Sequence, residues 1–347
     1  RLLPDYSEMT DYKGNSITYK CTPNKGAAQA LLANLCAWKA GCKYMAQPKE
    51  ATYDERALWV EADSVCTALI SSGIYKLANT PEEVCTSTLV GSDAESIYEI
   101  VLRDYWNELE NESPYSVHDL FYYFGPMYQT WPVIPGMSAG SLAFRSWKIL
   151  STTVCEMYSE RIVGNDTITD LRKDAYFYKV DSMAHDTLLD ITEGYAYPWK
   201  FRLVKLGTSG WSAGEFINFD QNRIVFRLAD IILLRAECRV RLGNNEGAIA
   251  DLNTIRERAN AELYHSSEYG GDLRYAIFKE REKELLMEGC RWYDVIRNEY
   301  YKTELYGGFR NVSKQDILDG VFFNAVDNNE FSENPLARQN TYWLKRM

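Results

Sequence analysis

Residues 226–259 read FRLADIILLRAECRVRLGNNEGAIADLNTIRERA. Ala229, Ile232, Leu233, Ala236 and Val240 recur at helical intervals, so a 3.6-residue period puts them on one face of a helix. Gly243 follows as a stop signal, and Ala248, Leu252, Ile255 and Ala259 then form a second stripe of the same period. The stretch therefore predicts a helical hairpin. Its alanines let two helix axes approach closely, because a methyl group is the largest obstacle between them.

Working outward, the same design occurs near the start. Residues 27 to about 42, AAQALLANLCAWKAGC, predict an Ala- and Leu-rich helix with Gly41 near its stop. After a polar loop with Pro48, residues 54–72 carry Leu58, Ala62, Val65 and Leu69 on one helical face, and Gly73 closes them. In the later hairpin Ala236-Glu237 precedes Leu242-Gly243, followed by Ala248-Ile249 and Leu252-Asn253, an order that reads as a degenerate tetratricopeptide repeat. Two such hairpins imply an α-solenoid scaffold, and their wide separation rules out a simple array. A further helix is predicted over 273–288.

Between the hairpins the character changes. Residues 111–225 hold Pro114, Pro126, Pro132, Pro135 and Pro198, with the aromatic clusters FYYFGPMYQTW at 121–131 and GYAYPW at 194–199. Prolines at this density break long helices, so loops with short helices and strands are expected, plus one helix over about 142–158 that takes Trp147 into the core. The chain has 25 Tyr, 9 Trp and 13 Phe, many outside any helical stripe. Such rings, apolar on their faces and polar at their tips, suit a surface that binds a sugar or a partner protein. The candidates are Tyr128, Trp131, Tyr195, Tyr197, Trp199 and Trp211, each in non-periodic sequence close to Pro or Gly. The competing reading is that each ring plugs the core beneath a long loop.

At 347 residues the chain is long enough for two domains or one large one. The balance of 38 Lys+Arg against 49 Asp+Glu, a net −11, supplies no field for nucleic acid. Eight cysteines without a CxxC pair and three scattered histidines (His118, His185, His265) argue against structural zinc. Several of those cysteines sit on apolar helix faces, where a thiol behaves as a small hydrophobe. No apolar run approaches a membrane span, and the start at Arg1 reads as a processed or truncated piece.

Chemistry-bearing motifs are few. G-x-S-x-G occurs at 136–140 and 210–214, but the first follows two prolines and the second leads into EFINFD, which alternates like a strand where a nucleophile elbow needs a helix. Flexible loops are the better reading. Arg281, Glu284, Glu288 and Arg291, three or four apart, predict a structural ion network on one helix face. Asp327, Asn328, Asn329, Glu330 and Glu333 lack the glycine and terminal glutamate of an EF-hand, so a solvated acidic loop is expected, with no metal and no cofactor. No pair of carboxylates is singled out for glycoside cleavage.

A longer pattern remains. Arg227-Leu228-Ala229-Asp230, Leu233-Leu234-Arg235-Ala236-Glu237, Leu252-Asn253, Ile255-Arg256 and Arg258-Ala259 are followed by Glu280-Arg281, Glu284-Leu285, Glu288-Gly289, Arg291-Trp292 and Asp294. With Lys25-Gly26-Ala27-Ala28, residues 73–77 (GIYKL), 95–100 (ESIYEI), Asp170-Leu171-Arg172, Asn334-Pro335-Leu336 and Gln339-Asn340, this order resembles the SusD/RagB family. Its members are outer-membrane nutrient-binding lipoproteins of Bacteroidetes that work beside a TonB-dependent transporter. The resemblance implies a mainly α fold, tetratricopeptide-like hairpins packed against a loop-rich ligand region, in one domain spanning 1–347. Within it fall a first hairpin (20–80), a ligand region (111–225), C-terminal helices (226–300) and a tail (301–347). It also implies a non-catalytic role: capture of an oligo- or polysaccharide on the extracellular face of the outer membrane, and delivery to a SusC-like transporter. The anchor would be a lipidated N-terminal region that this chain lacks. The alternative within the family is a peptide or protein cargo, or a role mainly as the transporter's lid.

Overall fold

A computed structural model describes residues 3–17, 20–101, 149–181, 194–208, 210, 213–219, 221–327, 331, 334 and 336–346. Helix α1 (Lys25–Gly41) starts where the Asn24 side chain accepts from the Ala27 amide, and α2 (Glu55–Ile70) starts where Asp54 does the same for Ala57. Each cap satisfies an amide that the first turn leaves without a partner. The two helices pack along their alanine faces: Ala30, Ala33, Ala37 and Ala62 are fully buried in one cluster. Gly26 and Gly41 are small for a reason of space. A Cβ on Gly26 would collide with the Tyr75 hydroxyl, and one on Gly41 would collide with the Arg297 side chain.

Strand β1 (Ser96–Ile100) follows, then β2 (Ile149–Leu150), α3 (Ser151–Met157), the hairpin β3 (Arg161–Val163) and β4 (Asp166–Ile168), and α4 (Arg172–Tyr176). The remaining strands are β5 (Tyr195–Ala196), β6 (Val204–Leu206), β7 (Phe216–Phe219) and β8 (Arg223–Arg227). All the described sheets are two-stranded and antiparallel: β1 with β8, β2 with β5, β3 with β4 and β6 with β7. The chain is thus mainly α, as expected.

From β8 the backbone runs directly into α5 (Leu228–Leu242). Gly243 closes α5 in the left-handed conformation at φ +85°, and Asn244 caps α6 (Asn245–Arg258). Helix α5 lies against α2, α6 and α7 (Leu273–Glu284), so it is the axis of the core. Leu233, Ala236, Leu252, Ile255 and Ala248 are fully buried there, together with Cys66 and Cys238 as small apolar groups. All eight cysteines are free.

Two predicted helices differ in extent. The helix expected to reach residue 288 ends at Glu284, and the chain turns through Met287 (φ +64°) and Gly289 (φ +89°) into α8 (Arg291–Arg297). The physical reason is that side chains take over the terminal carbonyls: Lys200 donates to those of Glu284 and Leu286, and Arg227 also donates to that of Glu284. The helix expected over 142–158 is, in its described part, only α3, because Ile149 and Leu150 are extended and pair with Ala196 and Tyr195. Trp147 lies outside the described residues. After α8, an aromatic cluster of Phe278, Trp292, Tyr301, Phe309 and Phe322 holds the short helices of the tail, including Lys314–Asp319 and Thr341–Leu344.

Candidate functional site

The segment from Gly194 to Lys200 runs extended. The Gly194 carbonyl accepts from Ser151, the Tyr197 carbonyl accepts from the Tyr178 amide at 2.9 Å, and the Trp199 amide donates to the Tyr176 carbonyl at 2.7 Å. Phe177 and Pro198 form an antiparallel bridge between the same two stretches. Extended backbone alternates its side chains, and the burial follows. Ala196, Pro198 and Lys200 are buried, whereas Tyr195, Tyr197 and Trp199 are only partly so. Three aromatic residues thus share one side of a strand-like edge. The Tyr178 ring meets that of Trp199 edge-on at 5.2 Å, and the Arg202 guanidinium lies 5.0 Å from the Trp199 ring centre. Arg202 is itself held by the Ala175 carbonyl and by Glu82.

The buried side of the edge is anchored to the scaffold. Lys200, fully buried, donates to the Glu284 carbonyl at 2.9 Å, the Leu286 carbonyl at 3.0 Å and the Glu288 carboxylate at 2.6 Å, with its ammonium 4.0 Å from the Tyr176 ring centre. Burial pushes its pKa down, and Glu288 opposes that push.

Glu288 belongs to the ion network anticipated on this helix face. Arg227 bridges Glu95, Glu284 and Glu288, each at 2.7 Å, and Arg258 also reaches Glu284. Arg172 joins Asp170 at 2.7 Å and Glu280 at 2.6 Å, while Arg281 ties Asp230 to Asp294. Burial alone would raise the Glu284 carboxyl, and the guanidinia of Arg258, Arg227 and Arg172 overcome it and hold the group well below the usual carboxylate range. Arg291 departs from expectation. The turn after α7 takes it off the shared face, and it pairs with Glu282 and Glu304 with a third of its side chain exposed.

Of the six aromatic candidates, Tyr195, Tyr197 and Trp199 come together on one edge, and Tyr128, Trp131 and Trp211 lie outside the described residues. So do the first G-x-S-x-G and the stretches around His118 and His185. The second G-x-S-x-G is followed by β7, a strand and not a helix, so it lacks the elbow's context. Sequence reading missed Tyr178 and Lys200. For Lys200 the signal was available in the period-two pattern of 195–199, which continues to it on the buried side, whereas Tyr178 is brought in by a long-range pairing. Among the described residues, no three His, Cys, Asp or Glu side chains converge as metal ligands, and no helix is long and apolar enough to cross a membrane. Of the acidic stretch near residue 330, only Asp327 is described.

Comparison with known proteins bears on these features. SusD-like protein P38 of Formosa agariphila is 33% identical over 124 residues, which are 33% of this chain and 24% of that protein. A SusD homolog from Bacteroides thetaiotaomicron superposes with a TM-score of 0.68 at 21% identity, covering 96% of this chain and 62% of its own. Surface glycan-binding protein A from Bacteroides uniformis gives 0.62 at 19% identity, covering 98% and 65%. The chain therefore spans about a quarter of the curated relative in alignment and under two thirds of either structure. At these identities the structures speak for the fold. The model of the SusD family matches residues 120–343, a continuous stretch that takes in the aromatic edge and, apart from Glu95, the Arg/Glu network anchoring it, and on that match the chain belongs to the SusD family.

Proposed function

We propose that this chain is a non-catalytic glycan-capture subunit, binding an oligo- or polysaccharide on the extracellular face of the outer membrane and passing it to a SusC-like, TonB-dependent transporter. The observation that carries the binding step is the shared face of Tyr195, Tyr197 and Trp199, backed by Tyr178 and anchored through Lys200. Aromatic faces stack on the C–H surfaces of sugar rings, and the neighbouring phenol hydroxyls bond the sugar hydroxyls. Tyr128, Trp131 and Trp211 are proposed as further ligand-binding residues. The similarity of fold to a protein described as surface glycan-binding supports this reading, and family membership supports the transporter as partner and the lipid-anchored location.

Isothermal titration against a panel of polysaccharides (starch, xylan, galactomannan, pectin and alginate) tests the binding step. Saturable heat with at least one of them, without release of reducing ends, is the expected result. Release of reducing ends would make the chain an enzyme, and binding of peptides in place of every glycan would make its cargo protein. For the partner, pull-down of the full-length lipoprotein from gently solubilised outer membranes is expected to bring down a large β-barrel.

A further inference from the structure

A cavity of about 220 Å³ opens between the end of α3, the loop after α6 and the outer side of α7. It shares no residue with the aromatic edge. Its walls contain Asp170, Arg256, Glu268 and Glu280, but these charges are already spent on protein partners. Arg256 holds Glu268 at 2.8 Å and Glu280 at 2.7 Å, and Asp170 pairs with Arg172. Lys283 is different. Lys20, Lys173 and Lys200 are buried and each donates to a carbonyl or carboxylate, whereas Lys283 is partly exposed and among the described residues its ammonium has neither a hydrogen bond nor an ion pair. Partial burial pushes its pKa down, with Glu280 opposing, and the ammonium is left without a protein acceptor.

The rim supplies the complementary groups. Glu156 and Glu262 are exposed and have no cation within 4.0 Å among the described residues. The Tyr269 ring is 42% exposed and is steadied edge-on by Tyr275 at 5.1 Å, and the His265 ring is fixed by Ser267 at 2.8 Å. The carboxylates around the cavity outnumber its cations, so an anion is disfavoured, while the Lys283 floor disfavours a metal cation. What satisfies a donor at the floor, acceptors at the rim and an aromatic wall together is a neutral ring bearing several hydroxyls, since each hydroxyl both donates and accepts. We infer that this cavity binds one hexopyranose unit: Lys283 donates to a ring hydroxyl, Glu156 and Glu262 accept from others, and Tyr269 covers the C–H face. The inference deepens the glycan-capture reading and rests on it for the class of ligand, with a site distinct from the 195–199 edge.

Met157 lines the cavity, and its methyl group is a reporter that requires no knowledge of the natural glycan. Protein carrying carbon-13 methionine methyls, with the Met157 signal assigned through Met157→Leu, is titrated with D-glucose, D-galactose, D-mannose and sodium acetate. The expected result is a saturable shift of the Met157 signal with at least one hexose, none with acetate, and at least about tenfold weaker binding in Lys283→Met. Glu262→Ala, an exposed substitution that leaves folding intact, weakens the same titration. No saturable shift with any hexose, an equal shift with acetate, or a Lys283→Met variant that keeps the other methionine signals and binds as the parent does, would each overturn the inference. Polysaccharide titration of Trp199→Ala reads the other site, so failure of the cavity and failure of the aromatic edge give different patterns.

Discussion

The α5–α7 scaffold and the 195–199 edge are built by opposite rules. In the scaffold, periodic apolar residues bury helix faces, and the carboxylates and guanidinia buried with them meet opposite charges: Glu284 is fully buried and meets three guanidinia. In the edge the period is two, the backbone is held by a few hydrogen bonds to 176–178, and half of the side chains stay partly open. The first arrangement spends its buried charges on itself, and only on its outer side, at Lys283, does it keep a polar group without a protein partner among the described residues. The second keeps aromatic area in reserve. Lys200 joins them, because its stem belongs to the edge and its ammonium to the scaffold.

The largest expected effect breaks the scaffold. Glu284→Ala leaves Arg227, Arg258 and Arg172 short of an acceptor, and loss of one partner of a buried ion pair costs about 3–5 kcal/mol. Urea denaturation reads this as a lowered midpoint, and an unchanged midpoint would mean the network is dispensable. Acid reaches the same network without mutation. Burial would raise the Glu280 carboxyl, yet Arg172 and Arg256 hold it down at about 2, well below its value near 4.3 in the unfolded chain. A depressed folded-state pKa contributes stability that is present above the unfolded value and lost as the pH falls through the folded one. Melting temperature is therefore expected to drop progressively from about pH 4.5 toward pH 2, and a flat profile over that window would contradict the pairing.

Lys200→Met sharpens the comparison because it acts on both regions. It removes a donor from Glu288 and two carbonyls, a loss of about 1–3 kcal/mol, and it frees the edge from its anchor, so glycan affinity in titration should fall with stability. Retained affinity at reduced stability would show that the edge is positioned by its backbone bonds alone. The smallest effect is local. Gly243 sits at φ +85°, where a Cβ costs roughly 1–2 kcal/mol, so Gly243→Ala should lower the denaturation midpoint slightly and leave glycan affinity unchanged.

The same contrast explains what could be read from the residues alone. The stripes Leu58-Ala62-Val65-Leu69 and Ala248-Leu252-Ile255-Ala259 announce helices because burial on one face repeats every turn, and the observed helices α2 and α6 contain these stripes to within a residue of their ends. The end of α7 was not legible: Glu284 and Glu288 keep a helical spacing, and long-range donors, Lys200 and Arg227 with the hydroxyls of Tyr176 and Tyr158, take the carbonyls where the helix stops. The edge was legible as residue types but not as an arrangement. Tyr195, Tyr197 and Trp199 were identified by their neighbours, while their partner Tyr178 lies across a pairing that no local pattern specifies. Lys283 gave no signal at all, since the lack of an acceptor is a property of the assembled fold.

The central claim is that the aromatic edge, and not the ion network beneath it, is the main polysaccharide-binding surface. Isothermal titration of the parent and of a Tyr195→Ala, Tyr197→Ala, Trp199→Ala triple variant, with the polysaccharide that the parent binds best, tests this most directly. The account predicts at least about 1 kcal/mol of lost binding per stacking ring, so that polysaccharide affinity falls by about two orders of magnitude, with the cooperative melting transition retained. A triple variant that melts as a folded protein and binds with the parent's affinity would contradict it.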